Sequence, residues 1–179
     1  MPPPKKPKPK PKAKAKLARP AQNRLYSLDV CIISGPIAEK FAKKNPQISR
    51  VIQIRGDQTL EDLHDAIFDA FDREEEHMYE FQFGEYPMDR KAARYVMPTD
   101  DELGFDDGEA PSPQSVDLTT LASLNLKVGR SFGYWFDYGD DWWHQIDVVA
   151  IDDKVPRGKF PKVAKKVGKS PPQYADPDE

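Results

Sequence analysis

Two periods of hydrophobic and polar residues alternate along this chain, one of two residues and one of about 3.6. Leu25 to Ile33 reads LYSLDVCII, rich in β-formers and closed by Ser34-Gly35-Pro36, which predicts a first strand. Ala38 to Lys44 reads as a helical turn before Pro46, and Arg50 to Arg55 (RVIQIR) as a second strand ending at Gly56-Asp57. Thr59 with Asp62 three residues later has the capping-box pattern, and Leu60, Leu63, Ile67, Phe68 and Phe71 follow at helical spacing. An amphipathic helix over about 59–72 is predicted, with His64 inside the apolar stripe and Glu61, Asp62, Asp65, Asp69 and Asp72 on the other side.

Period two returns in HMYEFQFG, where His77, Tyr79, Phe81 and Phe83 share one face and Met78, Glu80 and Gln82 the other. This is a third strand, with all three histidines of the chain expected on core-facing positions. Lys91 to Met97 reads as a short strand. Asp100 to Gln114, acidic and rich in Gly and Pro, reads as a mobile loop whose acids do not match a Ca²⁺-binding loop. Asp117 is suited to cap a short helix reaching Leu124.

Arg130 to Ile151 predicts a β-hairpin. Phe132, Tyr134 and Phe136 alternate in one arm, Trp142, His144, Ile146 and Val148 in the other, and Tyr138-Gly139-Asp140-Asp141 supplies the turn. Asp140 and Asp141 suit backbone hydrogen bonds in that turn, and Gly139 suits a positive φ. Alternation sends Trp135 and Trp143 to the opposite face, where a partly exposed pair would form a binding surface. From Asp152 onward Pro156, Pro161, Gly168 and Pro171-Pro172 predict an irregular surface segment. The order of elements predicts an α+β fold: a mainly antiparallel or mixed sheet, one principal helix packed on it, and a ubiquitin-like arrangement of the first elements as one form it can take.

Charge divides the 179 residues more sharply than the net −3 suggests. Residues 1 to 24 hold seven lysines, Arg19 and Arg24 with no acid, leaving 18 basic against 30 acidic residues beyond them. Seven of the 18 prolines alternate with those lysines, so the tail is expected to be extended and disordered. Lys5, Lys6, Lys8, Lys10, Lys12, Lys14, Lys16 and Arg19 suit non-specific contact with a nucleic-acid phosphate backbone; the plainer role is solubility. No aromatic residue interleaves them, so base stacking by the tail is not expected. No run of about 18 apolar residues exists for a membrane helix, and no secretory signal opens the chain, so a cytoplasmic protein without a membrane partner is expected.

TLEDLHDAIFDAF, HMYEF and FDYGDDWWHQI, in that order, resemble the plasmid pRiA4b ORF-3-like family, and the closing GKSPPQY resembles the end of its domain. The likeness covers about residues 25 to 175, between the tail at 1–24 and a C-terminal tail at 176–179. It places His64, His77, Asp137, Gly139, Asp140, Trp142 and His144 on the family's motif positions. The chain departs from the commoner form at Gln173-Tyr174, where many members carry Glu-Asp after the paired prolines. The resemblance implies a link to plasmid or mobile-element biology and brings no established activity.

Three imidazoles with Asp137 or Asp140 have the donor chemistry for Zn²⁺, Mn²⁺ or Fe²⁺, although no short His-x-x-x-His spacing supports a site. Buried neutral histidines bonded within the core are the plainer outcome. Gly168-Lys169-Ser170 lacks the earlier glycine of a phosphate-binding loop, and Pro171 blocks the helix that should follow. The single Cys31 has no local base and reads as an inert thiol. The reading the residues favour is a non-enzymatic binding module, with no cofactor, whose partner is nucleic acid at the tail or another protein. A metal-dependent enzyme using the His/Asp cluster is the alternative.

Overall fold

A computed structural model describes residues 21–89, 91–98 and 111–174. The tail lysines, most of the 100–114 loop and residues 176–179 lie outside the described residues. A 3-10 turn at Ala21–Asn23 leads into β1 (Leu25–Ser34), α1 (Glu39–Lys44), β2 (Ser49–Arg55), α2 (Leu60–Ala70), β3 (Tyr79–Phe83), β4 (Ala93–Val96) and β5 (Gln114–Ser115). A second 3-10 turn, Leu121–Leu124, precedes β6 (Ser131–Phe136), β7 (Trp142–Asp152) and β8 (Lys162–Val167). The fold is α+β. All eight strands form one mixed sheet in the order β5-β4-β3-β6-β7-β1-β2-β8, parallel only between β4 and β5.

The capping box at Thr59 and Asp62 forms as the sequence predicts, each side chain bonding the other residue's backbone N–H. It starts α2 so that Leu60, Leu63, His64 and Ile67 face the sheet. There they meet the inward side chains of β1, β2, β3, β6 and β7, among them Leu28, Ile52, Phe81, Tyr134 and Ile146. Arg50, 2% exposed, ties this cover down. Its guanidinium donates to the carbonyls of Ala70 at the end of α2, Ser49 and Val167, and to Ser170 Oγ.

Several expectations need correction. β3 lies three places from β1, with the β6–β7 hairpin between them, so the hairpin modifies the ubiquitin-like arrangement expected for the first elements. Residues after Asp152 are not all irregular: β8 pairs antiparallel with β2, because Val163 and Val167 alternate with polar residues in a way the flanking prolines obscure. The short helix after Asp117 is a 3-10 turn capped by Thr120, while Asp117 accepts a hydrogen bond from Ser115. Positive φ in the hairpin turn falls on Asp137 (55°) and Asp141 (61°), not Gly139. Gly35 is required for a different reason: a Cβ there would stand 2.3 Å from the Trp142 ring.

The second face of the sheet is also partly covered. Glu80, fully buried, accepts from Arg94 and, at 3.1 Å, from Tyr138 Oη, which reaches back from the hairpin turn. Among the described residues no helix is long and apolar enough to cross a membrane.

Ile67→Ala, at the centre of the helix–sheet contact, is expected to cost about 2–5 kcal/mol in urea unfolding. Thr59→Ala should cost about 1 kcal/mol by removing the cap, whereas exposed Glu61→Ala should stay within about 0.5 kcal/mol.

Candidate functional site

The polar groups of the core gather where α2 ends, beneath the hairpin. Trp142, Tyr134 and His144 reach this point from β6 and β7, since Phe136 pairs with Trp142 and Tyr134 with His144. His64 reaches it from α2. The His64 ring stacks on Tyr79 with centroids 3.5 Å apart, and its Nδ1 lies 2.7 Å from Tyr134 Oη. Its Nε2 lies 3.2 Å from Glu76, whose carboxylate can only accept, so Nε2–H donates there and Tyr134 O–H donates to Nδ1. Burial depresses the His64 pKa to about 4, so this is a hydrogen-bonded relay between neutral rings rather than an ion pair.

His144, 1% exposed, is held neutral more strongly: burial first, then the charge of Arg73, take its pKa to about 3. The carbonyls of Tyr134 and Trp142 stand beside its ring. Neither Nδ1 nor Nε2 has a partner in hydrogen-bond geometry among the described residues.

Arg73 is the residue that pattern reading missed, being the one base in the acidic run Asp72 to Glu76. Asp72 adopts a left-handed φ of 54° just after α2, and this turn of the chain buries Arg73 between exposed neighbours. The guanidinium stacks on Trp142, 3.7 Å from the ring centroid. Both Nη atoms lack partners among the described residues, and burial lowers the pKa to about 10. A buried donor without an acceptor costs about 1–3 kcal/mol, more when charged.

His77 is not core-facing as expected, because β3 begins only at Tyr79. It sits on the rim with its side chain 35% exposed, where Nε2 meets Tyr174 Oη at 2.8 Å and Asp137 Oδ2 at 3.5 Å. Asp137, not Asp140 or Asp141, provides the turn's backbone contacts, accepting from the amides of Gly139 and Asp140. Asp140 stays at the hairpin tip, remote in role from the buried histidines. His64 and His144 flank Tyr134 while His77 pairs with Asp137. Among the described residues no three His, Cys, Asp or Glu side chains come together in a way that would hold a metal ion.

Trp135 and Trp143 do share the opposite face, stacked at 4.7 Å, but only Trp135 is half-exposed; Trp143 is buried at 8%. Both indole N–H groups donate to Asp141 Oδ1, at 2.9 and 3.3 Å. Cys31 is half-buried, and burial with Asp29 and Asp147 nearby pushes its thiol up, in keeping with an inert role.

A different feature occupies the β8 edge. Lys154, Arg157, Lys159, Lys162, Lys165, Lys166 and Lys169 are all exposed, with no acid from 154 to 170. The described chain begins close by: Ala21 lies against Gly56, and Gln58 donates to the Phe160 carbonyl at 2.8 Å.

A family model of plasmid pRiA4b ORF-3-like proteins matches residues 39–175, which takes in α2, the hairpin and the C-terminal segment. The chain belongs to the plasmid pRiA4b ORF-3-like family. A solved structure with the fold of this pRiA4b ORF-3-like chain is that of a protein of unknown function from Methanosarcina mazei Go1, at 22% identity and a TM-score of 0.63. The match covers 84% of this chain and 72% of that one. No curated protein matches.

The two buried histidines contribute an acid-side loss of stability to this pRiA4b ORF-3-like domain. An unfolded histidine binds a proton near pH 6.5, and these two only near 4 and 3, so below 6.5 the unfolded state carries more protons and stability falls. Urea unfolding between pH 7 and 4 should show a loss of up to about 1.4 kcal/mol per pH unit for each histidine. His144→Leu should remove one histidine's share of that slope.

Proposed function

We propose that this chain is a non-enzymatic binding module that lies against nucleic acid, joining its basic tail to the basic edge of β8 in one phosphate-contacting surface. The observation that carries this reading is the uninterrupted run of seven exposed basic residues from Lys154 to Lys169, beside the point where the tail leaves the domain. Contacts of this kind displace counterions and read no sequence. The plasmid or mobile-element link is carried by the family's name, and association with DNA would suit it. Lysines on an edge strand also discourage pairing with another chain, which is the competing explanation for Lys162, Lys165 and Lys166.

Fluorescence anisotropy with labelled duplex DNA and RNA across a salt series separates the two. The full chain should bind with a steep salt dependence and little sequence preference. A chain beginning at Leu25 should bind more weakly with a shallower slope, and adding Lys162→Glu, Lys165→Glu and Lys166→Glu should abolish binding. Equal binding by the full chain with and without the three substitutions would assign the lysines to edge protection alone. No binding by any form would overturn the reading.

A further inference from the structure

Among the described residues two arginines are buried, and their surroundings differ in a way that points to a ligand. Arg50 has an acceptor for each guanidinium nitrogen. Arg73, 7% exposed, has none for Nη1 or Nη2 among the described residues, and its charge reaches the buried His144 ring, beside which stand the carbonyls of Tyr134 and Trp142. The Trp142 face offsets part of the Arg73 charge but offers no acceptor. Asp137 is near enough to be felt electrostatically. Its oxygens are already engaged, Oδ1 by two turn amides and Oδ2 facing His77 at 3.5 Å.

We propose that Arg73, with His144 beside it, is the receptor for a small monocarboxylate carrying an apolar body. A carboxylate places two acceptor oxygens opposite the paired Nη donors, the geometry in which Arg binds most strongly. Trp142 stacks on the guanidinium, and Phe71 and Tyr134 flank the His144 ring at 5.3 and 5.1 Å. These buried rings surround the guanidinium and the imidazole with apolar surface. A single negative charge fits better than two, because one guanidinium charge is available and Asp137 is near enough to be felt. This site is separate from the β8 edge, so it survives or fails independently of nucleic-acid binding.

The test is thermal unfolding and tryptophan fluorescence of the full chain with formate, acetate, butyrate and benzoate. Benzamide serves as the neutral counterpart and inorganic phosphate as the dianionic one. Butyrate and benzoate should raise the melting temperature and perturb Trp142 fluorescence, with phosphate and benzamide weaker by at least about tenfold in apparent affinity. Arg73→Met, which removes an unpartnered buried charge while keeping its stem, should fold with equal or higher stability and lose the carboxylate response by the same factor. His144→Phe should weaken the response without removing it. Equal responses to benzoate and benzamide, a carboxylate response that persists in Arg73→Met, a stronger response to phosphate, or no response to any carboxylate would each overturn the proposal.

Discussion

An eight-stranded sheet buries only the surface that something covers, and here one eleven-residue helix must begin that cover. α2 is too short to span the sheet, so two segments without long helices extend it at its ends. At the N-terminal end, Val116, Leu121 and Leu126 enter the core, held by backbone bonds from Leu60 to Thr119 and from Leu121 to Gln58. At the C-terminal end, residues 167 to 174 are fixed by Arg50 and by Gln173, whose side chain accepts from the amides of Glu74 and Glu75 and donates to Glu75. Most of the rest depends on these two anchors, since the Trp142 indole N–H also ends on the Gln173 carbonyl.

The polar atoms of the core follow from that arrangement. The inner face of the hairpin is aromatic, and its tyrosine and histidine tips need partners where water is excluded. Tyr134 is satisfied through His64 and Glu76, a chain that leads from the interior to an exposed carboxylate. Arg50 is satisfied by carbonyls and a serine hydroxyl, which makes it structural. Arg73 departs from the pattern, with neither Nη atom partnered among the described residues, and its charge is felt at His144.

What the sequence made legible was whatever depended on a single period. Thr59 and Asp62 announced the start of α2, and the alternation through Phe132 to Phe136 and Trp142 to Val148 announced the hairpin with its correct inner face. Burial on both faces was not legible: Glu80 reads as solvent-facing until Arg94 and Tyr138, 14 and 58 residues away, are known to meet it. β8 was hidden because an edge strand needs only one apolar stripe, and Val163 and Val167 are its whole signal. His77 was assigned to the core by extending an alternation two residues past the point where the strand begins. Arg73 was masked by the acids around it, since charge runs read as solvated surface and nothing local records that one side chain turns inward.

Charge patterning has the same lesson on a larger scale. Beyond residue 24 the chain is strongly acidic in sum, which alone would argue that the tail folds back onto the body and that the body repels nucleic acid. Screening confines that argument to near neighbours. At physiological ionic strength exposed charges interact mainly within about 8 Å. The charges that matter at the tail's root are therefore those around Gly56, Phe160 and β8, and that edge is rich in base, with Asp153 engaged by Arg24 at 2.9 Å. The described β8 edge therefore carries a single sign of charge, which a net charge of −3 conceals.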